Sequence, residues 1–273
     1  MELLEGKKIA KDILRGLEKE ARGRNLKLVI VLVGEDPASL IFVKEKERAC
    51  KKIGIGFELF KFSSDIKQDE LEKKIREIAR KEDTSGLVVQ LPLPKSLNAQ
   101  NILDIIPAGK DVDVLSQGFF EEFKAGNSLI LPPVVAAIDC LLREYEIDIK
   151  DKKIVLVGLG RVVGLPLSVW LSQKGIKFEV VEKLTENPEL VLQKAQVIIS
   201  GVGKPELIKG EAIREGAIVI DAATVLSKGQ LVGDIDLESV SKKAEFLAPV
   251  PGGVGPLTVA YLLDNLVKIN KRT

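Results

Sequence analysis

Apolar residues return at helical spacing in the first segment, where Ile9, Ile13, Leu14, Leu17 and Ala21 share one face of residues 6–22. Residues 26–33 (LKLVIVLV) abandon that period for a dense apolar run ending at Gly34, the pattern of a strand buried on both faces. Asp36-Pro37-Ala38-Ser39 is a helix-start signal, and the helix it opens reaches Ile53, with Gly54 as its stop. Residues 55–62 read as strand, 70–81 as an amphipathic helix, and 86–91 (GLVVQL) as a strand broken by Pro92 and Pro94. Strand and helix in alternation predict a parallel sheet with right-handed crossovers.

Residues 107–133 break the rhythm with Gly109, Gly118, Gly126, a cluster of charges and Pro132-Pro133, and the domain junction is placed here. A second alternation follows, with strands over 154–157, 178–181, 197–200 and 217–221 and a helix over 163–174. Lys228-Gly229 reads as a turn, and a glycine- and proline-rich stretch over 249–256 leads into a last helix from Thr258. The pattern predicts two α/β domains, 1–130 and 131–273, with the helix in 256–273 packing back on the first. There is no internal repeat and no low-complexity tract.

Composition narrows the chemistry. The chain has 273 residues, 45% hydrophobic and 30% charged, enough for two modest cores. Lys plus Arg number 41 against 40 for Asp plus Glu, which leaves no basic footprint for nucleic acid. The chain has no histidine, so imidazole bases and imidazole metal ligands are excluded, and no metal site is expected. Cys50 and Cys140 form neither a disulfide framework nor a metal-ligand spacing. Met1-Glu2-Leu3-Leu4 runs straight into a charged helix, unlike a signal peptide, and no apolar run reaches membrane-spanning length. The expected location is the cytoplasm, with no membrane partner.

The strand at 154–157 runs into Gly158-Leu159-Gly160-Arg161-Val162-Val163-Gly164 and then a helix. Glycines there allow a tight turn and close approach to a pyrophosphate, whose charge meets the helix N-terminus. The spacing is one residue longer than the usual dinucleotide fingerprint, and a bland strand-to-helix turn is its ordinary alternative. Glu182 ends the next strand, 22 residues beyond Gly160, where a carboxylate accepts from adenosine ribose hydroxyls; a solvated acid is the plain alternative. Together they point to a nicotinamide dinucleotide.

Four further motifs carry a family resemblance. Val89-Gln90-Leu91-Pro92-Leu93-Pro94, Lys110-Asp111-Val112-Asp113 and the PVPGGVGPLT stretch over 249–258 look like signatures of the bifunctional methylenetetrahydrofolate dehydrogenase/cyclohydrolase family. Pro37-Ala38-Ser39 through Cys50, with Lys46 inside it, resembles a fourth, and 158–166 falls where that family's cofactor loop belongs. The resemblance covers nearly the whole chain. It implies a two-domain α/β protein with an interdomain cleft, the second domain a Rossmann-like parallel sheet. It also implies oxidation of 5,10-methylenetetrahydrofolate with NAD or NADP, hydrolysis of the methenyl product to 10-formyltetrahydrofolate, a place in one-carbon metabolism and a homodimer.

Ser39, Phe42 and Lys46 are spaced so that one helix face presents all three. A helical lysine is ordinarily a solvated charge, but the resemblance makes Lys46 the proton-transfer group of cyclohydrolysis. A cationic product and partial burial would both favour its neutral amine, a base toward water. Gln90 ends a buried strand, where an amide needs its partners; by resemblance it bonds Lys46 and the ligand. Asp113, otherwise a turn former, would match two parallel pterin donors. Lys46, Gln90 and Asp113 are thus the candidate catalytic residues. Ser39, Phe42, Val89, Leu91, Pro251, Gly252, Gly253 and Gly255 are the candidate substrate contacts, the last four in a loop poor in side chains that admits a flat ligand. Gly158, Leu159, Gly160, Arg161, Gly164, Glu182, Lys183 and Thr224 are the candidate cofactor contacts.

The sequence departs from the family pattern at several positions. Phe42 stands where tyrosine is usual, Val114 where glycine follows Asp-Val-Asp, and Pro132-Pro133-Val134-Val135 where Pro-Cys-Thr-Pro is usual. Gly158-Leu159-Gly160 replaces Gly-Arg-Ser, and Lys183 replaces a serine that helps hold a 2′-phosphate. Loss of both phosphate partners, with Glu182 nearby, favours NAD over NADP, although Arg161 and Lys183 offer charge. Two alternatives stay open: a dehydrogenase without cyclohydrolase, since Phe42 lacks a hydroxyl, and a binding protein without turnover.

Overall fold

The computed structural model describes residues 1–272; Thr273, the last residue of the second expected domain, lies outside them. The chain opens with β1 (Glu2–Leu3), α1 (Gly6–Ala21), β2 (Lys27–Val33), α2 (Pro37–Ile53), β3 (Gly56–Phe62), α3 (Gln68–Arg80) and β4 (Gly86–Val89). Short helices α4 (Ala99–Leu103) and α5 (Gln117–Lys124) precede α6 (Pro133–Glu144). Next come β5 (Ile154–Val157), α7 (Gly164–Gln173), β6 (Phe178–Val181), α8 (Pro188–Leu192), β7 (Val197–Ser200) and β8 (Ile218–Asp221). The chain finishes with β9 (Val225–Ser227), β10 (Gln230–Val232), α9 (Leu237–Val240), β11 (Phe246–Ala248) and α10 (Val254–Ile269).

Two compact units result: Lys11–Pro133 with the chain from Val259 onward, and Met1–Ala10 with Val134–Thr258. The first contains a parallel sheet in the order β3-β2-β4. Its central strand β2 is buried on both faces, as the apolar run predicts. Leu28 and Ile30 pack with Leu17, Val43, Ile53, Leu263 and Leu266, whereas Val29, Val31 and Val33 pack with Leu71, Ile75 and Ile102. Each such large aliphatic contributes about 1.5–3 kcal/mol. Asn265 of α10 is buried and donates to the carbonyls of Val112 and Leu131, both at 2.9 Å, which ties that helix to the segment around Asp113.

The second unit contains a six-stranded parallel sheet in the order β1-β11-β8-β7-β5-β6. β6 lies on one side of β5 and β7 on the other, so the strand order reverses there. A crevice forms outside the strand ends at such a switch point. The turn read at Lys228-Gly229 joins the antiparallel hairpin β9–β10, with φ of 49° and 79° at its two residues.

Three of the differences from the sequence-based expectation have a clear physical reason. β1 was not anticipated; two residues carry too little periodicity to read, and pairing with β11 defines the strand. Helix α6 begins in Pro133-Val134-Val135, whose β-branched residues disguise it, with the proline in the first turn where its missing N–H costs little. Helix α10 begins at Val254, four residues before the expected Thr258, because Pro256 is tolerated in a first turn for the same reason.

Candidate functional site

Helix α2 starts where the Asp36 carboxylate accepts from the Ser39 N–H at 2.8 Å, and it stops at Gly54, whose φ is 74°. Between these caps Ser39 and Lys46 lie two turns apart, both buried, with Phe42 half-buried between them. Lys46 Nζ donates to Gln90 Oε1 at 2.8 Å. Gln90 Nε2 donates to the Leu91 carbonyl at 2.8 Å, and Ser39 Oγ donates to that carbonyl at 3.3 Å. The Gln90 N–H bonds the Val31 carbonyl at 2.9 Å, so the sheet ladder carries one residue past β4 and fixes this amide. Val89 lies just inside the strand, and its side chain belongs to the apolar core.

Asp111 organises the neighbouring turn. Its buried carboxylate accepts from the backbone N–H groups of Asp113 at 3.3 Å, Leu115 at 3.1 Å and Ser116 at 2.8 Å. That turn presents Asp113. The reading from sequence treated Asp111 only as part of a motif; acceptance from N–H groups two to five residues ahead is the Asx-turn habit that could have revealed it. Val114 follows with φ of 57°, a conformation costly for a β-branched residue and natural for the glycine usual at this position. Its side chain is buried, and that packing offsets the strain.

Burial lowers the pKa of Lys46, opposed chiefly by the charge of Asp113. A buried ammonium would bring three donors to a place where Gln90 Oε1 accepts one. Burial raises the Asp113 carboxyl; the Lys46 charge draws it back and Asp111 pushes it further up. Burial also holds the Cys50 thiol up at about 12, so Cys50 stays neutral at physiological pH. The arrangement suits a proton acceptor beside a hydrogen-bonding acid.

In the six-stranded unit, the glycine loop spans the end of β5 and the start of α7. Gly158 has φ of 82°, and its N–H bonds the Val181 carbonyl at 2.8 Å, which brings the loop beside exposed Glu182 at the end of β6. An ideal Cβ on Gly164 would overlap the Gly158 carbonyl oxygen and lie 2.9 Å from Leu159 Cα. The ten-residue helix α7 therefore begins in close contact with the turn, as phosphate binding at a helix N-terminus requires. Arg161 Nη1 is buried and has no hydrogen-bond partner. An unpartnered guanidinium nitrogen beside a glycine-rich turn fits a dinucleotide phosphate. Leu159 and Lys183 are exposed, and Thr224 lies partly exposed just beyond β8.

The loop from Pro251 is built on backbone. Gly253 N–H bonds the Pro249 carbonyl at 2.9 Å, Gly252 has φ of 111°, and a Cβ on Gly6 would overlap the Gly253 carbonyl. Gly255 is already in α10, so the loop ends sooner than expected.

Two buried acids in this unit, Asp221 and Asp234, were not anticipated as site residues. Burial pushes the Asp221 carboxyl up to about 6, against N–H bonds from Ile235 at 3.0 Å and Ala223 at 3.1 Å, with Asp234 adding to the rise. A carboxyl raised from its ordinary 3.8 contributes stability that is complete below that value and lost as pH climbs through about 6. The expected loss is about 2 kcal/mol between pH 4 and 7. Carbon NMR titration of this carboxyl checks it, and an ordinary midpoint would remove the effect.

Among the described residues, no helix is long and apolar enough to cross a membrane, and no cluster of potential metal ligands occurs.

Comparison with known proteins covers both units. The family model described as "Tetrahydrofolate dehydrogenase/cyclohydrolase, catalytic domain" matches residues 4–113, and the model described as "Tetrahydrofolate dehydrogenase/cyclohydrolase, NAD(P)-binding domain" matches 132–273. The bifunctional protein FolD of Hydrogenobaculum sp. (strain Y04AAS1) is 40% identical, over 100% of this chain and 99% of that protein. The structure of the bifunctional methylenetetrahydrofolate dehydrogenase/cyclohydrolase FolD from Campylobacter jejuni superposes with a TM-score of 0.91 at 34% identity, covering 100% of both chains. The Trypanosoma brucei enzyme, solved with NADP and an inhibitor, gives a TM-score of 0.91 at 30% identity, over 98% of this chain and 96% of that one.

Proposed function

The chain belongs to the tetrahydrofolate dehydrogenase/cyclohydrolase family, and from that premise we propose how its own residues divide the two reactions. It is a bifunctional enzyme: an NAD(P)-dependent methylenetetrahydrofolate dehydrogenase and a methenyltetrahydrofolate cyclohydrolase. The folate chemistry is assigned to the unit that holds Lys46, Gln90 and Asp113, and the nucleotide to the unit that holds the 158–164 loop.

The observation that carries this reading is the buried Lys46–Gln90 hydrogen bond. Because the Leu91 carbonyl orients the Gln90 amide, its oxygen faces Lys46 and takes one amine hydrogen. The neutral amine keeps its lone pair for a proton from water as that water's oxygen adds to the methenyl carbon. Ring opening then needs a proton returned to the departing nitrogen, and the Lys46 ammonium supplies it. Asp113 anchors the pterin by accepting from its ring N–H and exocyclic amine. Ser39, Phe42, Val89 and Leu91 line the folate site, with Pro251, Gly252, Gly253 and Gly255 as further substrate contacts. Gly158, Gly160 and Gly164 hold the pyrophosphate, with Thr224 as a further contact, and the bound nicotinamide supplies the hydride acceptor. A cytoplasmic homodimer completes the reading.

The test supplies methylenetetrahydrofolate with each nicotinamide cofactor and follows reduced cofactor and methenyl absorbance together. Transient methenyl is expected. Methenyl that accumulates and persists would leave a dehydrogenase alone, and absence of both signals would leave a binding protein.

Replacement of Asp113 with alanine is expected to weaken folate affinity and both activities together by about 2–3 kcal/mol, since ground-state anchoring is shared. Unchanged folate affinity by titration would rule out the anchoring role.

NAD is expected to be used better than NADP by a few-fold in kcat/KM. Leu159 offers a 2′-phosphate neither charge nor hydrogen bond, and Glu182, fixed at the end of β6, repels phosphate but accepts from a free hydroxyl. An advantage for NADP at saturating folate would instead assign the phosphate to Arg161 or Lys183.

A further inference from the structure

Asp234 is fully buried, just beyond β10, and its carboxylate takes four hydrogen bonds from residues 200–204. Ser200 Oγ donates at 2.6 Å and the Val202 N–H at 2.7 Å to one oxygen. The N–H groups of Gly203 at 2.9 Å and Lys204 at 2.7 Å donate to the other. Three consecutive backbone donors thus converge on one side chain from more than 25 residues away in the chain.

The turn they form leaves the carboxyl end of β7, beside the glycine loop that leaves β5. An ideal Cβ on Gly158 would lie 2.9 Å from Val202 Cγ2, and one on Gly160 would lie 3.7 Å from the Gly201 carbonyl oxygen. Since the strand order reverses between β5 and β7, these two turns flank the crevice in which such sheets bind ligands. Val202, Gly203 and Lys204 are exposed, so packing does not hold the turn from outside. Gly203 has φ of 81°, a left-handed conformation that glycine does not enforce by itself.

We infer that Asp234 is a positioning residue for the cofactor: its carboxylate holds residues 202–204 in the shape that walls the nucleotide crevice. The inference rests on the assignment of the nucleotide to this unit. Charge-assisted bonds to three N–H groups give the carboxylate a grip that an amide cannot reproduce. Asparagine has one acceptor oxygen, and its NH2 would confront backbone donors.

The test is Asp234→Asn in the full chain. Fluorescence titration is expected to show NAD and NADP affinity at least about tenfold weaker. Folate affinity is expected to stay unchanged, and the amides of residues 202–204 to exchange faster with deuterium. Nucleotide affinity equal to that of the unaltered chain overturns the inference, and so does an equal loss of folate and nucleotide affinity, the mark of a general structural role. If Asp234→Asn fails to fold, Ser200→Ala decides, because it removes one donor and leaves the three N–H bonds. About threefold weaker nucleotide binding is expected from it, and unchanged binding overturns the inference. An unaltered chain that binds neither NAD nor NADP overturns the nucleotide assignment itself, and this inference with it.

Discussion

Lys46→Met is expected to reduce methenyltetrahydrofolate hydrolysis by at least about 100-fold, the usual contribution of a positioned general base. Dehydrogenase activity is expected to remain measurable, since hydride transfer asks the folate site mainly for alignment. Methionine keeps the length and apolar stem of the lysine and removes only the amine. It also leaves Gln90 Oε1 without its 2.8 Å donor, so a modest loss of folate affinity accompanies the change. The pH dependence gives a second, independent readout. The lysine's folded-state pKa lies below its ordinary 10.5, so its contribution to stability is complete above that value. That contribution is lost as pH falls toward the lowered pKa, because the unfolded chain takes up a proton that the buried amine resists. Any stability gained by Lys46→Met at neutral pH should therefore shrink as pH approaches 10.5. Thermal unfolding across that range measures it. Methenyl hydrolysis that stays above the spontaneous rate and equal to that of the unaltered enzyme would remove Lys46 from the chemistry.

Gly164→Ala is expected to abolish dinucleotide binding. The added methyl would overlap the Gly158 carbonyl oxygen and sit 2.8 Å from the Gly158 carbonyl carbon. These atoms are backbone, which cannot rotate aside as a side chain can. Helix α7 must then move away from the β5 turn and spoil the close fit on which phosphate binding depends. Overpacking of this kind costs about 1–3 kcal/mol of stability, and the cofactor site takes the displacement. The expected result is loss of dehydrogenase activity and of nucleotide titration signal. Folate affinity should largely persist, because Lys46, Gln90 and Asp113 belong to the other unit and the contacts at 251–255 lie outside helix α7. Normal NAD and NADP affinity in this variant would show that the turn tolerates a wider opening.

Much of the architecture was legible along the chain. The run at 26–33 announced a doubly buried strand, because a residue pair pointing to opposite faces must both be apolar when helices cover each face; β2 is that strand. Asp36 and Gly54 marked the limits of α2 through capping rules that act over three or four residues. The glycine spacing after β5 and the acid after β6 pointed to a dinucleotide cofactor, and the motifs around Lys46, Gln90 and Asp113 announced the family. All of these signals are local, with the period of a strand or helix or the reach of a single turn.

What tertiary structure alone decided lies between elements. The first residues of the chain pair with β11, although β2, α2, β3, α3 and β4 belong to the other unit. The bond between Lys46 and Gln90 spans 44 residues, and its burial, which lowers the lysine's pKa, comes from packing that periodicity does not encode. Asp234 reads in sequence as one more turn acid, yet it closes on Ser200 34 residues earlier. Propensity and pattern act over one or two turns of chain. Desolvation and long-range hydrogen bonds depend on which strands become neighbours and which side chains meet there, and that is settled only when the sheets assemble.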